Sequence, residues 1–183
     1  MKTALILVDI QNDYFPGGRK ELEHSVEASK QAARLLTLFR DAGLVRVHVQ
    51  HVSSSPSATF FLPGTDGVQT HENVKPLEGE LLIQKHYPNS FRETPMLEHL
   101  RHSQVERVVI AGMMTHMCVD ATVRAAFDYG FECLTASDAC ATRALTHEGV
   151  TIPAEHVHRS FLAALNGTYG KVMTTDGLIA LIG

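Results

Sequence analysis

The sequence is short of cysteine, of long apolar runs and of any surplus of one charge, and each shortage closes off a class of function. Three cysteines, odd in number and without CxxC spacing, do not make a disulfide framework and point to a reducing, cytoplasmic setting. No apolar run approaches the ~20 residues that a membrane span needs. The first run, MKTALILV, breaks at Asp9 with no small-residue cleavage site behind it, so no secretion signal is expected. A formal charge of -4, with acids and bases mixed along the chain, leaves no basic stripe for nucleic acid or anionic lipid. Repeats, low-complexity tracts and linker-like breaks are also missing. The 183 residues, 44% hydrophobic, therefore read as one domain, 1–183, with a sizeable core.

What is present is an alternation of strand and helix patterns. Residues 3–8 (TALILV) are a continuous apolar run, the pattern of a strand buried on both faces, and it stops at a carboxylate, Asp9. A polar, glycine-ended loop follows. Residues 25–42 carry helical spacing through Val26, Ala33, Leu36 and Phe39, closed by Gly43. Residues 45–52 alternate as a strand, and 53–76 form a long Ser/Gly/Pro-rich loop of the kind that usually serves function. A short strand at 81–84 delivers Lys85, and 94–102 reads as a helix with Thr94 as its cap. Strands at 106–112, 131–136 and 171–173 and helices at 119–130 and 154–165 complete the series. Such alternation predicts an α/β fold, a three-layer, Rossmann-like doubly wound sheet of mostly parallel strands.

The stretch VVIAGMMTHMCVDATVRAAFDYG changes period in its middle. An apolar strand ends at Ala111-Gly112, and an amphipathic helix runs from Val119 to Gly130. Cys118 falls at the helix start, where free N–H groups and the positive end of the dipole favour a thiolate. A buried packing cysteine at a helix start fits that segment equally well. Ligand sites of doubly wound sheets lie beyond the carboxyl ends of the strands, and three such ends offer Asp9, Lys85 and Cys118. Taken singly, Asp9 reads first as a loop cap and Lys85 as a solvated charge. Brought together, the carboxylate takes the thiol proton and the ammonium supports both anions.

At these residues the chain resembles the isochorismatase-like cysteine hydrolases. The signatures are LILVDIQNDYF, KHYPNSF, VVIAGMMTHMCVDATVRAAFDYGF and then SDAC, in the family's order and over nearly the whole length. The resemblance implies a six-stranded parallel sheet covered by helices on both faces, and a catalytic triad of Asp9, Lys85 and Cys118. It also implies a cis peptide at Met113-Met114, with the N–H groups of Met114 and Cys118 holding an oxyanion. The chemistry implied is thiolate attack on a small, amide-like C–N bond through a thioester. Vinyl ether cleavage with Asp9 as general acid is the family's other chemistry and stays open. A reading of another class, a redox-sensing or binding module around Cys118, also stays open, although Cys133 and Cys140 read as inert packing residues.

Metal-binding members carry an Asp-x-His pair after the second strand, and this chain has HVQHVSSS there. His48 and His51, three apart on a strand, point to opposite faces. No metal and no cofactor are therefore expected, with Asp66 and His71 as the remaining weak pair. Phe15, Tyr87 and Phe91 flank the triad and are candidates for an aromatic wall around a flat substrate; His116 faces the pocket or a neighbouring subunit. Gln11 and Asn12 are expected to organise their loop, Thr115 its turn, and Asp138 a turn or cap. The expected partners are a small-molecule substrate and further copies of the chain, as a homodimer or homotetramer. The patch Phe60-Phe61-Leu62-Pro63 suits a lid or a subunit contact.

Overall fold

The computed structural model describes Met1–Gly183 throughout. Its centre is the run TALILV, strand β1 (Thr3–Val8), all six residues buried. A strand so apolar must be covered on both faces, and the core divides accordingly. Leu5 and Leu7 pack on one side of the sheet; Ala4, Ile6 and Val8 pack on the other. Strand β4 (Arg107–Met113) splits in the same way, Val109, Ala111 and Met113 against Val108 and Ile110.

Around this pair stand β2 (Val45–His51), β3 (Leu81–Lys85), β5 (Glu132–Ala141) and β8 (Lys171–Met173), giving one sheet in the order β3-β2-β1-β4-β5-β8. Every pairing within it is parallel. Helices α1 (Ser25–Asp41) and α5 (Thr175–Ile182) cover the first face through Leu35, Leu36, Phe39 and Leu178. The second face carries α2 (Met96–His102), α3 (Asp120–Asp128) and α4 (Ala154–Leu165). No helix is long and apolar enough to cross a membrane.

Several boundaries depart from the sequence reading. Helix α2 begins at Met96, with Pro95 at its cap position, because the Thr94 hydroxyl donates back to the Ser90 carbonyl (2.6 Å). Strand β5 does not stop at Ala136. Its register against β4 slips between Ile110 and Gly112, and the chain returns to pair Cys140 with Gly112 and Ala141 with Met113. Cys140 is thus a strand residue. Asp138 stands in the slipped stretch and does cap, accepting from the backbone N–H and hydroxyl of Thr175 at the start of α5. A hairpin of β6 (Leu145–His147) and β7 (Val150–Ile152) follows, standing off the main sheet with Val150 66% exposed.

Candidate active site

The strand order reverses at β1, with β2 on one side and β4 on the other, and a crevice opens there beyond the strand ends. Asp9 is the first residue past β1. It takes a left-handed backbone (φ 50°), a conformation that aspartate tolerates better than most residues. Its N–H still donates to the Val49 carbonyl at 3.1 Å, so the turn away from the strand fixes the side chain's direction. Lys85 ends β3, two strands away, in register with His51 at the end of β2. Its long side chain spans β2 and brings Nζ to 2.7 Å from Asp9 Oδ2. Neither side chain of this ion pair is exposed.

Cys118 arrives from the other side. After β4 the chain makes a π-helical turn, Thr115–Val119, before α3 begins. Two side chains anchor that turn: Thr115 Oγ1 lies 2.9 Å from His158 Nδ1 on α4, and His116 Nδ1 bonds Thr142 Oγ1 beyond β5. The Met113–Met114 peptide that leads into the turn is cis. Gly112 just before it has φ 137°, and a Cβ there would sit 2.0 Å from the Val8 carbonyl oxygen, so only glycine lets β4 pass β1 at this point. Asp9, His51 and Cys118 end with their reactive atoms all within 4.8 Å of one another. The three residues expected to form a triad are thus in one place.

The electrostatics differ from the sequence expectation. A thiol at a helix start was expected to favour its thiolate. Instead burial, reinforced by the Asp9 carboxylate, pushes the Cys118 thiol well above its ordinary range, with Lys85 opposing only in part. The turn leaves the sulfur among apolar neighbours, where loss of water outweighs the backbone dipoles. Burial works against the Lys85 ammonium too, yet the charges of Asp9 and Cys118 hold its pKa above that of an ordinary lysine. His51 is pulled down to about 4 by burial and by Lys85, so its neutral Nδ1 accepts from the ammonium at 3.1 Å. Asp9 Oδ1 is buried with no hydrogen-bond partner. One carboxylate oxygen is therefore neutralised and the other is free to take a proton.

Asp9, His51 and Cys118 are the ligand types that hold zinc, and His51 enters such a set although the spacing to His48 argued against a shared ion. A cation already stands among them, however, since Lys85 Nζ bonds both Asp9 and His51. His48 lies on the other face, 3.0 Å from Glu80. Asp66 and His71 also stay apart from any ligand set. Asp66 accepts from the Asn12 side chain, and the His71 ring stacks on Phe15 at 3.6 Å.

The expected aromatic wall is only partly present. Phe15 and His71 line a polar surface cleft of about 860 Å³, but none of Asp9, Lys85 or Cys118 lines it. Phe91 packs into the second core face against Tyr129 and Phe131. Tyr87 is half-buried under the Arg92 guanidinium, 3.6 Å from its ring. Gln11 organises the loops, its amide donating to the His51 and Val68 carbonyls and accepting from the His51 N–H. The Phe60–Pro63 patch is not left exposed as a unit: Phe61 turns inward, its ring 4.7 Å from that of Tyr14.

Sequence reasoning did not single out His51 as a site residue, nor Tyr14 and Arg143 at all. The Tyr14 hydroxyl is pushed up by burial and then by the charges of Cys118 and Asp9, with Arg143 pulling the other way. Position at a parallel strand end could have found His51; nothing local marks the other two.

The sequence model of the Isochorismatase domain matches residues 3–177. YddQ, an isochorismatase family protein of Bacillus subtilis, is 49% identical over 98% of this chain and 99% of its own. A solved structure from Oleispira antarctica, described as a candidate isochorismatase hydrolase, superposes with a TM-score of 0.94 at 47% identity, covering 98% of this chain and 96% of that one. Maleamate amidohydrolase of Pseudomonas putida is 28% identical over 94% of this chain and 83% of its own.

Proposed function

The chain belongs to the isochorismatase family of hydrolases, and on that footing we propose that it cleaves a small, non-peptide C–N bond through Cys118, Asp9 and Lys85. The observation that carries this reading is the divided carboxylate of Asp9, one oxygen held at 2.7 Å by Lys85 and the other unpartnered, in a group that lies within 4.8 Å of the sulfur. A thiol kept protonated by burial is a poor nucleophile until a base removes its proton, and in this reading Asp9 does so as attack begins. The Sγ–H proton passes to Asp9, Sγ bonds the carbonyl carbon, and the carbonyl oxygen gains the charge. The N–H groups of Met114 and Cys118 hold that oxyanion. Asp9 then returns the proton to the departing amine, the C–N bond breaks and a thioester remains. Water, deprotonated by Asp9, attacks the thioester; the acid leaves and the thiol is restored.

Lys85 holds one oxygen of Asp9 and His51 keeps Lys85 in place. The likeness to maleamate amidohydrolase, an enzyme named for amide hydrolysis, favours C–N cleavage over vinyl ether cleavage. The test is a screen of small amides, carbamoyl compounds and isochorismate with the wild-type protein and Cys118→Ala, together with hydroxylamine capture of the acyl group. Amide turnover lost in the variant and a captured hydroxamate are the expected results. Turnover of amides by Cys118→Ala overturns the thioester route, and cleavage of isochorismate by that variant assigns the chemistry to Asp9 alone.

A further inference from the structure

Three side chains able to bind a metal meet around a lysine. The Asp9 carboxylate, the His51 ring and the Cys118 sulfur each bring a donor atom within 4.8 Å of the others. Each comes from a different strand end: Asp9 follows β1, His51 ends β2, and Cys118 lies in the turn after β4. The set is therefore not an Asp-x-His pair carried on one strand. Atoms bound at about 2.0–2.3 Å to one tetrahedral zinc ion stand roughly 3.3–3.8 Å from each other, so these donors close on an ion with small side-chain rotations. Imidazole and thiolate together favour zinc or cobalt over magnesium or calcium.

Two of the three donors are ready to bind as they stand. Asp9 Oδ1 is buried without a hydrogen-bond partner, on a side chain with no exposed surface. His51 is neutral, its pKa pulled down to about 4 first by burial. Gln11 fixes the His51 backbone from both sides, accepting from its N–H at 2.8 Å and donating to its carbonyl at 2.9 Å. Only the sulfur must give up a proton, which a metal displaces as it binds. What stands in the way is Lys85. Its Nζ lies 2.7 Å from Asp9 Oδ2 and 3.1 Å from His51 Nδ1, in the space that an ion would need. Charge makes the two cations exclusive. The ammonium is matched by the carboxylate in a fully buried ion pair. A dication would be matched by that carboxylate and a thiolate. Both cations together leave one positive charge unmatched in a place without water, which is strongly unfavourable.

We propose that Asp9, His51 and Cys118 form a site for zinc or a zinc-like dication that the Lys85 ammonium keeps closed, so that the native chain refuses the metal and the chain without that ammonium takes it. On this reading Lys85 has a task besides its contact with Asp9: it guards a sulfur, a carboxylate and an imidazole against capture by a metal. Once the ammonium is gone, the hydrated ion sheds waters as bonds form to Asp9 Oδ1, the His51 ring nitrogen and Cys118 Sγ. The Sγ–H proton passes to solvent, and a water keeps the fourth position.

Cobalt(II) and zinc(II), each added alone, test the site in the full chain. Cobalt bound to a thiolate shows a charge-transfer absorption, and zinc is then titrated in to displace it. Lys85→Ala is expected to show this absorption with stoichiometric cobalt and to lose it to zinc, while the wild-type protein shows none. Adding Cys118→Ser to Lys85→Ala should abolish the absorption. Adding His51→Gln should weaken the metal at least about tenfold, the lower bound of what even a partner outside the ligand set is worth. Lys85→Ala leaves Asp9 buried without its counter-charge, so its urea transition is measured with and without zinc. The expected result is a midpoint raised by zinc, or a cooperative transition regained by refolding with zinc where the variant alone does not fold. Three results overturn the proposal: cobalt–thiolate absorption in the wild-type protein, a Lys85→Ala chain that neither binds cobalt nor is stabilised by zinc, or binding to that chain unchanged by loss of His51. None of these measurements reads turnover, so they stand apart from the hydrolase reading.

Discussion

In the proposed reaction Asp9 does two things that pull against each other: it stays paired to a buried ammonium, and it accepts a proton. Lys85 at 2.7 Å makes the first possible, and the unpartnered Oδ1 makes the second possible. Asp9→Asn keeps the shape and removes the base, so kcat/KM is expected to fall about 10²–10⁴-fold, the usual range for a general base. It also leaves Lys85 buried without its counter-charge. The kinetic loss must therefore be measured on protein shown to be folded by a urea titration at the same pH. A loss under about tenfold would move the base elsewhere. The convergence of Asp9, Lys85 and Cys118 was legible in the sequence because each ends or follows a recognisable buried strand of a doubly wound sheet. The protonation state of Cys118 was not. A helix start is a local feature, whereas burial of the sulfur depends on the whole fold, and here burial wins.

Between elements, one carboxylate does much of the joining. Glu80, just before β3, accepts from Arg40 on α1 and from Arg46 on β2, and it also bonds the His48 ring and the Leu77 N–H. Its side chain is 2% exposed. The hydrogen bonds from Arg40 come first in holding its pKa well below the usual carboxylate range, against the opposing effect of burial. A carboxyl group whose folded pKa is depressed stabilises the fold above its unfolded value of about 4.3 and loses that contribution as pH falls toward the folded one. Glu80→Gln is expected to lower stability by about 3 kcal/mol near pH 7, with a smaller penalty at progressively lower pH below about 4, measured by urea midpoints across that range. A constant difference at all pH values would show that Glu80 acts by shape alone. Gly112→Ala gives a second element-scale outcome. The added Cβ meets the Val8 carbonyl at 2.0 Å in a backbone conformation closed to alanine, so β1 and β4 must part, with a loss of about 3 kcal/mol or more read from the same titration. The strands β1 and β4 were legible as apolar runs, and α1 by its spacing and Gly43. The far half of β5 was hidden because Ser137-Asp138 has the composition of a turn, and only its partners on β4 and α5 make it a bulged strand.

Across the whole molecule, Asp9, Lys85 and Cys118 sit at the meeting of two faces of core, and two segments distant in sequence pack beside them. The loop after β1 and the long loop 53–76 are joined at several points, by Gln11 to the Val68 carbonyl, by Asn12 to Asp66 and by Asp13 to the Phe61 N–H. Asp13 Oδ2 accepts from the Phe61 N–H at 2.6 Å, and its Oδ1 from the Arg19 N–H at 3.2 Å. Gly67 packs so close to this carboxylate that a Cβ there would lie 2.1 Å from Oδ1. Phe61, held in this way, rests on Tyr14, whose hydroxyl is within reach of the Cys118 charge. Cys118 is only 4% exposed, so the proposed reaction needs the residues over the sulfur to move. Asp13→Ala removes the tie at Phe61 and spares the sheet. Amide hydrogen exchange should therefore rise about 10–100-fold in peptides covering 53–76, as expected for loss of a hydrogen bond to a charged group, while peptides from β1 and β4 keep their protection. The freer loop should raise KM more than it lowers kcat, because the triad is held by the strand ends and the anchored turn and not by the loop. Faster exchange spread evenly over sheet and loop, or a fall confined to kcat, would show that Asp13 supports the core itself and that the two loops do not move together.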